Sequence, residues 1–454
     1  MEPVMVNDLL LHGHRQLLVG FSGGLDSTVL LHKLSQLRLT QSISLRAVYI
    51  HHGLSQHADE WLMHCQQLCT DLDIPFISRK VQLLGGQGGI EAEARTLRYR
   101  VFQELLTPEE ALVTAHHQDD QCETFLLALK RGSGPAGLSA MPSSRQLGKY
   151  WHLRPLLRFS RQDLEVYAKE HQLSWIDDES NQDDHYDRNF LRLHILPRLS
   201  QRWPQFSRSV ARSAELCSEQ ESLLDELLAS DLQRCMADDG SIDIAYLARG
   251  TEQKRNALLR RWFSYCGSLL PSRQALTLLW QEVVLSRDDA CPQLMINRRY
   301  VRRYQQRLYL GRVFSALRGT NLPWPIPSTP LVLPDNLGIL RLFPTDTQGL
   351  HLRVPSSKER VTVRFGQSAH LHLVGRQGGR SLKKIWQEKG IPAWLRESIP
   401  LIYFDEELVC APGVFITQAG LSSEGESYCL AWQEVDPELK PWVNFSSGEK
   451  ISFE

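Results

Sequence analysis

The first 200 residues alternate between two hydrophobic rhythms. Short apolar runs recur at QLLVGF (16–21), LRAVYIHHG (45–53), PFISRKV (75–81) and EALVTAHH (110–117). Between them lie stretches whose apolar residues fall three and four apart: STVLLHKLSQL (27–37), ADEWLMHCQQLCTDL (58–72) and DDQCETFLLALKR (119–131). The runs predict strands and the stretches predict helices. Strand followed by helix, repeated, predicts an α/β fold built on a parallel sheet with helices on both faces. Its ligands are then expected beyond the carboxyl ends of the strands. From 205 to 287 the pattern becomes helical, over 207–232, 252–267 and 272–286, and residues 297–312 predict a strand pair closing that region. Pro323, Pro325, Pro327, Pro330 and Pro334 predict a stiff, extended connector. Short strand signals return at 360–365, 370–374, 401–404 and 413–417. The expected division is an α/β domain over 1–205, a helical domain over 206–318, a linker over 319–335 and a small α+β domain over 336–440, with a poorly ordered tail over 441–454.

Composition narrows the function classes. Among 454 residues, 51 Lys and Arg stand against 52 Asp and Glu, a formal charge of −1. A basic character of the whole chain is excluded, so any nucleic-acid footprint must be a local cluster. Hydrophobic residues at 42 % and charged residues at 23 % fit an ordered globular chain. No apolar run approaches the roughly 18 residues of a membrane span. The start, MEPVMVNDLLLHGHRQ, lacks the basic–apolar–cleavage pattern of an export signal. Nine Cys with no C-x-x-C spacing read as reduced thiols of a cytoplasmic protein.

The strongest chemical signal is FSGGLDST (21–28). An apolar strand feeds Ser22, Gly23 and Gly24, and a helix starts near Leu25, Asp26 and Ser27. Glycines allow the sharp turn that brings several N–H groups to one point, and the helix dipole favours an anion there. Ser22, Ser27 and Thr28 add hydroxyl donors. Asp26 would repel bare phosphate, which points to Mg²⁺ bridging carboxylate and phosphate. The plainer alternative is a strand–turn–helix with a capping side chain. G-x-x-x-x-G-K-S/T occurs nowhere, so this is not a Walker A loop. Gly132, Gly134 and Gly137 satisfy G-x-G-x-x-G, but they follow a helix and enclose Pro135, so the dinucleotide reading lacks its context.

TAHHQDDQCET (114–124) lies at the carboxyl end of the fourth strand, where a ligand is expected. Asp120 and Glu123 share a helix face, with His116 four residues before Asp120. Two such carboxylates can hold an ammonium, bind Mg²⁺ or take a proton; an acidic first turn favoured by the dipole is the plainer reading. GGQGGIEAEARTLRYR (85–100) offers a glycine hinge and Arg95, Arg98 and Arg100, either a basic lid or a solvated helix face. Arg188 and Arg192 stand four apart and could clamp phosphate or join a surface ion-pair network. Seven Arg (298, 299, 302, 303, 307, 312, 318) with Tyr300, Tyr304 and Tyr309 make one basic cluster. Arg376, Arg380, Lys383, Lys384, Lys389 and Arg396 make another. Both suit a polyanion, although each alone also fits a solvated face.

SGGLDST resembles the pyrophosphatase loop of the N-type ATP pyrophosphatases, the PP-loop group with an adenine nucleotide alpha-hydrolase-like fold. The wider set is similar to the tRNA(Ile)-lysidine synthetase family: VYIHHGLS (48–55), GIEAEARTLRYR (89–100), TAHHQDDQCETFLLALKRGSGPAGLSAM (114–141), RPLL (154–157), WIDDESNQDDHYDRNFLR (175–192) and VGRQGGRSLKKIWQEKGIPAWLR (374–396). The resemblance spans nearly the whole chain. It implies a C–N ligase that adenylates O2 of the wobble cytidine of tRNA(Ile) bearing a CAU anticodon. The ε-amine of free lysine then attacks, with AMP and pyrophosphate released, and codon reading shifts from AUG to AUA. ATP and Mg²⁺ are the implied cofactors. The implied roles put Ser22, Gly23, Gly24, Leu25, Asp26, Ser27, Thr28 and His51 on the nucleotide, and Asp26 on the metal. Asp120 and Glu123 fall to lysine, His116 and Arg188 to the catalytic pocket, and Arg95, Arg192, Arg380, Lys383 and Lys384 to tRNA or phosphates. No membrane partner is implied, and a homodimer is compatible with the resemblance. A PP-loop tRNA thiolation enzyme and a non-catalytic tRNA-binding protein stand as alternatives. The first conflicts with the missing C-x-x-C, the second with Asp26, Asp120 and Glu123.

Overall fold

The computed structural model describes residues 13–53, 57–83, 90–287, 290–325, 329–344, 350–374, 378–421 and 427–443. The chain divides into two units, Met1–Glu226 and Leu227–Glu454.

The first unit is built on a six-stranded sheet. Its strands are β1 (Gln16–Gly20), β2 (Ser44–His51), β3 (Phe76–Lys80), β4 (Glu110–Val113), β5 (Ser144–Leu147) and β6 (Tyr150–Leu153), in the order β3-β2-β1-β4-β6-β5. All neighbours are parallel except the edge hairpin β5–β6. The helices α1 (Leu25–Thr40), α2 (Ala58–Asp71), α3 (Ile90–Leu105), α4 (Gln118–Lys130) and α5 (Arg161–Glu170) connect or follow the strands. The central strands read as unbroken apolar runs because both faces are covered. Leu17, Val19, Ala47, Tyr49, Ala111 and Val113 pack with α1, α2 and α5 on one face, whereas Leu18, Val48 and Leu112 meet Phe102 and Leu106 on the other. The strand order reverses between β1 and β4, which opens a crevice at their carboxyl ends.

The opposite rim is closed by an ion pair. Arg46 on β2 grips Glu110 on β4 with two hydrogen bonds of 2.7 and 2.6 Å, and the Thr107 N–H donates to the same carboxylate at 2.9 Å. Burial alone would raise the Glu110 pKa. Arg46 and Thr107 outweigh it and hold the carboxyl below its usual 4.5.

The long helix α6 (Phe206–Cys235) runs across the boundary between the two units. In the second unit, β7 (Ile242–Asp243), β8 (Gln293–Ile296), β9 (Arg299–Tyr304) and β10 (Arg307–Gly311) form an antiparallel sheet ordered β7-β10-β9-β8, beside helices Glu252–Tyr265 and Arg273–Leu278. The strand pair expected over 297–312 is therefore the centre of a four-stranded sheet. The segment expected as a linker is instead part of the terminal fold. There β11 (Asn321–Pro323) pairs with β15 (Val361–Arg364), and β12 (Leu331–Val332) pairs with β13 (Ile339–Pro344), in a sheet that also holds β14 (Leu350–Arg353). Trp324 is 1 % exposed between these strands. Pro323 sits on the edge strand β11, whose open side needs no N–H bond, and the tryptophan supplies the burial that a solvated connector lacks. One core under Trp324, Phe365, Ile385, Trp386 and Leu430 joins this five-stranded sheet to a second, four-stranded one. The tail beyond Val443, the glycine hinge at 85–89 and Arg376 lie outside the described residues.

Glu110→Gln is expected to destabilise the protein by about 2 kcal/mol near neutral pH, less than for a fully buried pair because the Arg46 side chain keeps 28 % exposure. A depressed carboxyl stabilises above its unfolded value, so this penalty should be complete above pH 4.5 and fade as the pH falls below it. Urea unfolding of both proteins across that range checks the sign; a penalty independent of pH would refute the ion-pair account.

Candidate active site

The turn after β1 is held by its own hydroxyls. Ser27 Oγ donates to the Gly24 carbonyl at 3.0 Å and receives the Ser22 N–H at 3.2 Å. Thr28 Oγ1 donates to the Gly23 carbonyl at 3.2 Å, and the Ile176 N–H reaches the same oxygen at 2.9 Å. Gly23 has φ +81°, a conformation that side chains resist. The first helical bond of α1 is Thr28 N–H to the Gly24 carbonyl at 3.0 Å. The N–H groups of Leu25, Asp26 and Ser27 precede it and have no partner within the helix, so they face outward as an anion cradle.

The turn opens into a cavity of about 730 Å³. Ser22, Gly24, Leu25, Asp26 and Ser27 line it from β1, and Thr114, His116 and Asp120 line it from β4 and α4. Tyr99, Phe102, Arg95 and Arg98 come from α3, Val48, Ile50 and His52 from β2 and its exit, and Trp61 from α2. Its wall thus offers phosphate donors at one end and aromatic and aliphatic surface at the other, as a nucleotide needs.

A buried imidazole joins the two strand tips. His117, 1 % exposed, caps α4 by accepting the Asp119 N–H on Nδ1 at 3.2 Å. Its Nε2 stands 3.6 Å from Asp26 and 3.5 Å from Asp120. Burial opposes charge on this ring, but Asp120 and then Asp26 outweigh it and raise its pKa. In the neutral ring, with Nδ1 accepting that N–H, the proton stands on Nε2, on the side of the two carboxylates. Asp120 is lowered in return: burial pushes it up, and His117, His116 and Arg192 more than offset that. It therefore stays an anion in the cavity wall. His116 is held down to about 3, chiefly by burial. His52 is held down to about 4 by burial and Arg98.

Several expected site residues stand elsewhere. Glu123 is 0 % exposed and does not line the cavity. Arg192 takes both its oxygens, at 2.8 and 3.1 Å, and Arg188 stands at 3.5 Å. Arg192 also reaches Asp120 at 3.2 Å. The helix spacing of Asp120 and Glu123 is correct, but a carboxylate this buried must be paired, so only Asp120 is presented. The same pairing turns Arg188 away from the cavity. Thr28, 0 % exposed, spends its hydroxyl on the loop. Strand alternation directs His51 inward to Asp59 at 3.1 Å, and its neighbour His52 takes the cavity wall. Arg95 lines the cavity over the Tyr99 ring. Arg380, Lys383 and Lys384 lie in the second unit, where the two lysines are exposed on the helix Leu382–Glu388.

Other lining residues had only indirect signals in the sequence. Arg161 stands 3.6 Å from Asp26 at the start of α5, whose Ser160–Asp163 capping box is legible as S-x-x-D. Ile176 to Asp178 also line the cavity, and nothing in their pattern places them there.

Asp26 Oδ1 is buried and has no hydrogen-bond partner, an arrangement that fits a cation. Among the described residues no three ligating side chains converge as a metal cage. A magnesium ion would therefore be held by Asp26 together with phosphate oxygens of a bound nucleotide. Cys65, Cys69 and Cys122 are fully buried, and burial pushes each thiol up to about 12, away from thiolate chemistry.

The basic clusters divide on inspection. Arg299, Arg302, Arg303, Arg307 and Arg312 are tied to carbonyls and side chains within the second unit, Arg312 bridging Asp335 and Asp436 at 2.9 Å each. Tyr304 and Tyr309 pack against Trp394 and Trp442. They are struts of the fold, and Arg298 and Arg318 remain exposed. In the last cluster Arg396 turns inward to the Ile391 carbonyl, while Lys383, Lys384 and Lys389 stay in solvent.

Family models match three parts of the chain. One described as a PP-loop domain covers residues 3–199, one described as a TilS substrate binding domain covers 242–309, and one described as a TilS substrate C-terminal domain covers 361–432. Proteins named tRNA(Ile)-lysidine synthase from Photorhabdus laumondii, Proteus mirabilis and Salmonella typhimurium are 54 %, 52 % and 51 % identical to it. The alignments cover 91 %, 92 % and 95 % of this chain and 93 %, 96 % and 100 % of theirs.

A methyl group at Gly23 would meet Ile176 Cδ1 at 2.5 Å and Cys65 Sγ at 2.7 Å. Gly23→Ala is thus expected to destabilise by about 2 kcal/mol and to weaken ATP binding, because the turn must shift. Urea unfolding and titration calorimetry check this; unchanged stability with unchanged affinity would mean that the turn does not hold the nucleotide.

Proposed function

The chain belongs to the tRNA(Ile)-lysidine synthase family, and from that membership we propose how its cavity performs the ligation. It is an ATP-dependent tRNA-modifying enzyme that forms a C–N bond. The observation that carries the assignment to this cavity is the meeting of the anion cradle with Asp120 and His116 across the β1–β4 reversal.

In this reading the N–H groups of Leu25, Asp26 and Ser27 hold the phosphates that leave as pyrophosphate. Asp26, with its unpartnered oxygen, would hold a magnesium ion, which would offset their charge. Arg161 stands close enough to share that load. The adenine side lies toward Val48, Ile50 and Trp61. The wobble cytidine of tRNA(Ile) with a CAU anticodon enters unstacked, which an anticodon loop allows more readily than a duplex. Its O2 attacks the α-phosphorus, forming the P–O bond as the bond to pyrophosphate breaks. A carbonyl oxygen, a very poor leaving group, thereby becomes the oxygen of AMP. The ε-amine of free lysine then bonds to C2, loses a proton, and AMP departs with that oxygen.

Asp120 is the anion that draws the lysine ammonium. A carboxylate held this low takes a proton poorly, so its part is to bind and orient. Glu123 acts through Arg192, whose position it sets. Arg95 faces phosphate or RNA from the cavity wall. In the second unit Lys383, Lys384 and Arg380 meet the tRNA backbone. Among the described residues no helix is long and apolar enough to cross a membrane. The reading places the enzyme in the cytoplasm, where its tRNA substrate is used. A homodimer is compatible with this scheme and no step needs one. The elevated thiols weigh against thiolation, whose sulfur chemistry needs thiolates.

Mass spectrometry of nucleosides from tRNA treated with the protein, ATP and isotope-labelled lysine is expected to show the label in one modified cytidine. Label absent from every nucleoside would overturn the lysine assignment. Asp26→Ala is expected to abolish pyrophosphate release while tRNA binding persists; retained release would remove Asp26 from the metal. Replacing Lys383 and Lys384 by Gln is expected to lower the slope of log affinity for tRNA against log salt by about 1–2, with ATP affinity unchanged. An unaltered slope in filter binding would remove that helix from the RNA path.

A further inference from the structure

Arg154, just past β6, is 2 % exposed, and among the described residues no carboxylate pairs with it. A buried guanidinium without a counter-ion is costly, and an apolar side chain of its size would avoid that cost. What Arg154 touches supplies a reason for it. Its Nη1 donates to the Pro142 carbonyl at 2.7 Å, and its Nη2 stands 3.0 Å from Nδ1 of His152. A guanidinium only donates, so His152 Nδ1 accepts. Burial keeps the His152 ring neutral, with its pKa down at about 2, and its single proton must then sit on Nε2. That nitrogen faces Thr114 Oγ1 at 2.7 Å and donates to it.

Thr114 is 8 % exposed and its hydroxyl has one proton of its own. The acceptor within reach is Nδ1 of His116, at 2.8 Å. Reversing that bond would leave the hydroxyl proton with no acceptor among the described residues. The directions therefore propagate from Arg154 through His152 and Thr114 to His116. His116 lines the cavity that Ser22 to Ser27 open into. It arrives there neutral, because burial dominates its pKa, and with its proton on Nε2.

We propose that Arg154, His152 and Thr114 are positioning residues that hold His116 in the neutral Nε2–H form, so that it meets the substrate as a hydrogen-bond donor to an oxygen on which charge develops, and not as a general base. This rests on the reading of the cavity as the site of nucleotide activation. The relay decides what a single-histidine argument leaves open, namely which nitrogen carries the proton.

The full-length protein labelled with ¹⁵N-histidine tests the relay directly. Long-range proton–nitrogen correlation at neutral pH, with His116→Gln and His152→Gln for assignment, is expected to show both rings protonated on Nε2 alone. A His116 ring protonated on Nδ1, or on both nitrogens, would overturn the proposal whatever the enzyme's substrate proves to be. Thr114→Val removes the bridging hydroxyl at nearly constant volume. It is expected to mix the two His116 tautomers and to slow pyrophosphate release by roughly 10- to 100-fold, the range of one lost donor or less. The KM for ATP should stay within about twofold, with Thr114→Ser restoring both readouts. Slowing without a tautomer change, or a tautomer change without slowing, would refute the positioning role. Should Thr114→Val not fold by circular dichroism, the wild-type spectrum alone decides.

Discussion

The site depends on one buried imidazole. His117 occupies the gap between the tips of β1 and β4, where two helix starts carrying acidic residues come close together. Asp26 and Asp120 would repel each other there, and burial alone would push Asp120 toward its neutral form. The imidazole between them answers both problems, and its other nitrogen also caps α4. The glycine turn and the acidic helix are thus coupled through a single ring. Moving that ring would change the charge of Asp120 and the orientation of Asp26 together.

A second layer of pairing surrounds this core. Arg192 lies across Glu123 and Asp120, with Arg188 behind it. Glu123 is raised by burial against the pull of Arg192, whereas Asp120 is lowered, although both carboxylates lie on one helix. The difference comes from partners. Asp120 has two imidazoles and a backbone N–H beside it, and Glu123 has guanidinium groups that share its burial. Their surroundings diverge accordingly: Asp120 lines the cavity, and Glu123 fastens an arginine that also reaches it.

The second unit shows how ambiguous arginine is. Five of the seven arginines between 298 and 318 brace strands, turn carbonyls and carboxylates. The interleaved tyrosines pack on tryptophans. A guanidinium supplies five donors on a long apolar stem, so it can strut a small sheet as readily as it can meet a phosphate. The lysines of the last cluster, compact charges that prefer water, are the ones left in solvent.

The parallel sheet, its helices and the glycine turn were legible in the sequence, because burial on both faces writes uninterrupted apolar runs and a sharp turn before a helix needs Gly23 and Gly24. The division of labour among neighbours was not. His51 and His52 share one motif, as do His116 and His117, yet strand alternation and the turn that follows place only one of each pair on the cavity wall. Asp120 and Glu123 share a helix face, yet Arg188 and Arg192, 65 and 69 positions further along the chain, claim the second. The proline-rich stretch carried no sign that Trp324 would be buried, since that depends on strands β13 and β15, which come later in the chain. Periodicity sets which way a side chain faces. Which partner waits there, and so which charge or proton it carries, depends on groups far away in sequence, and only the packed fold brings them together.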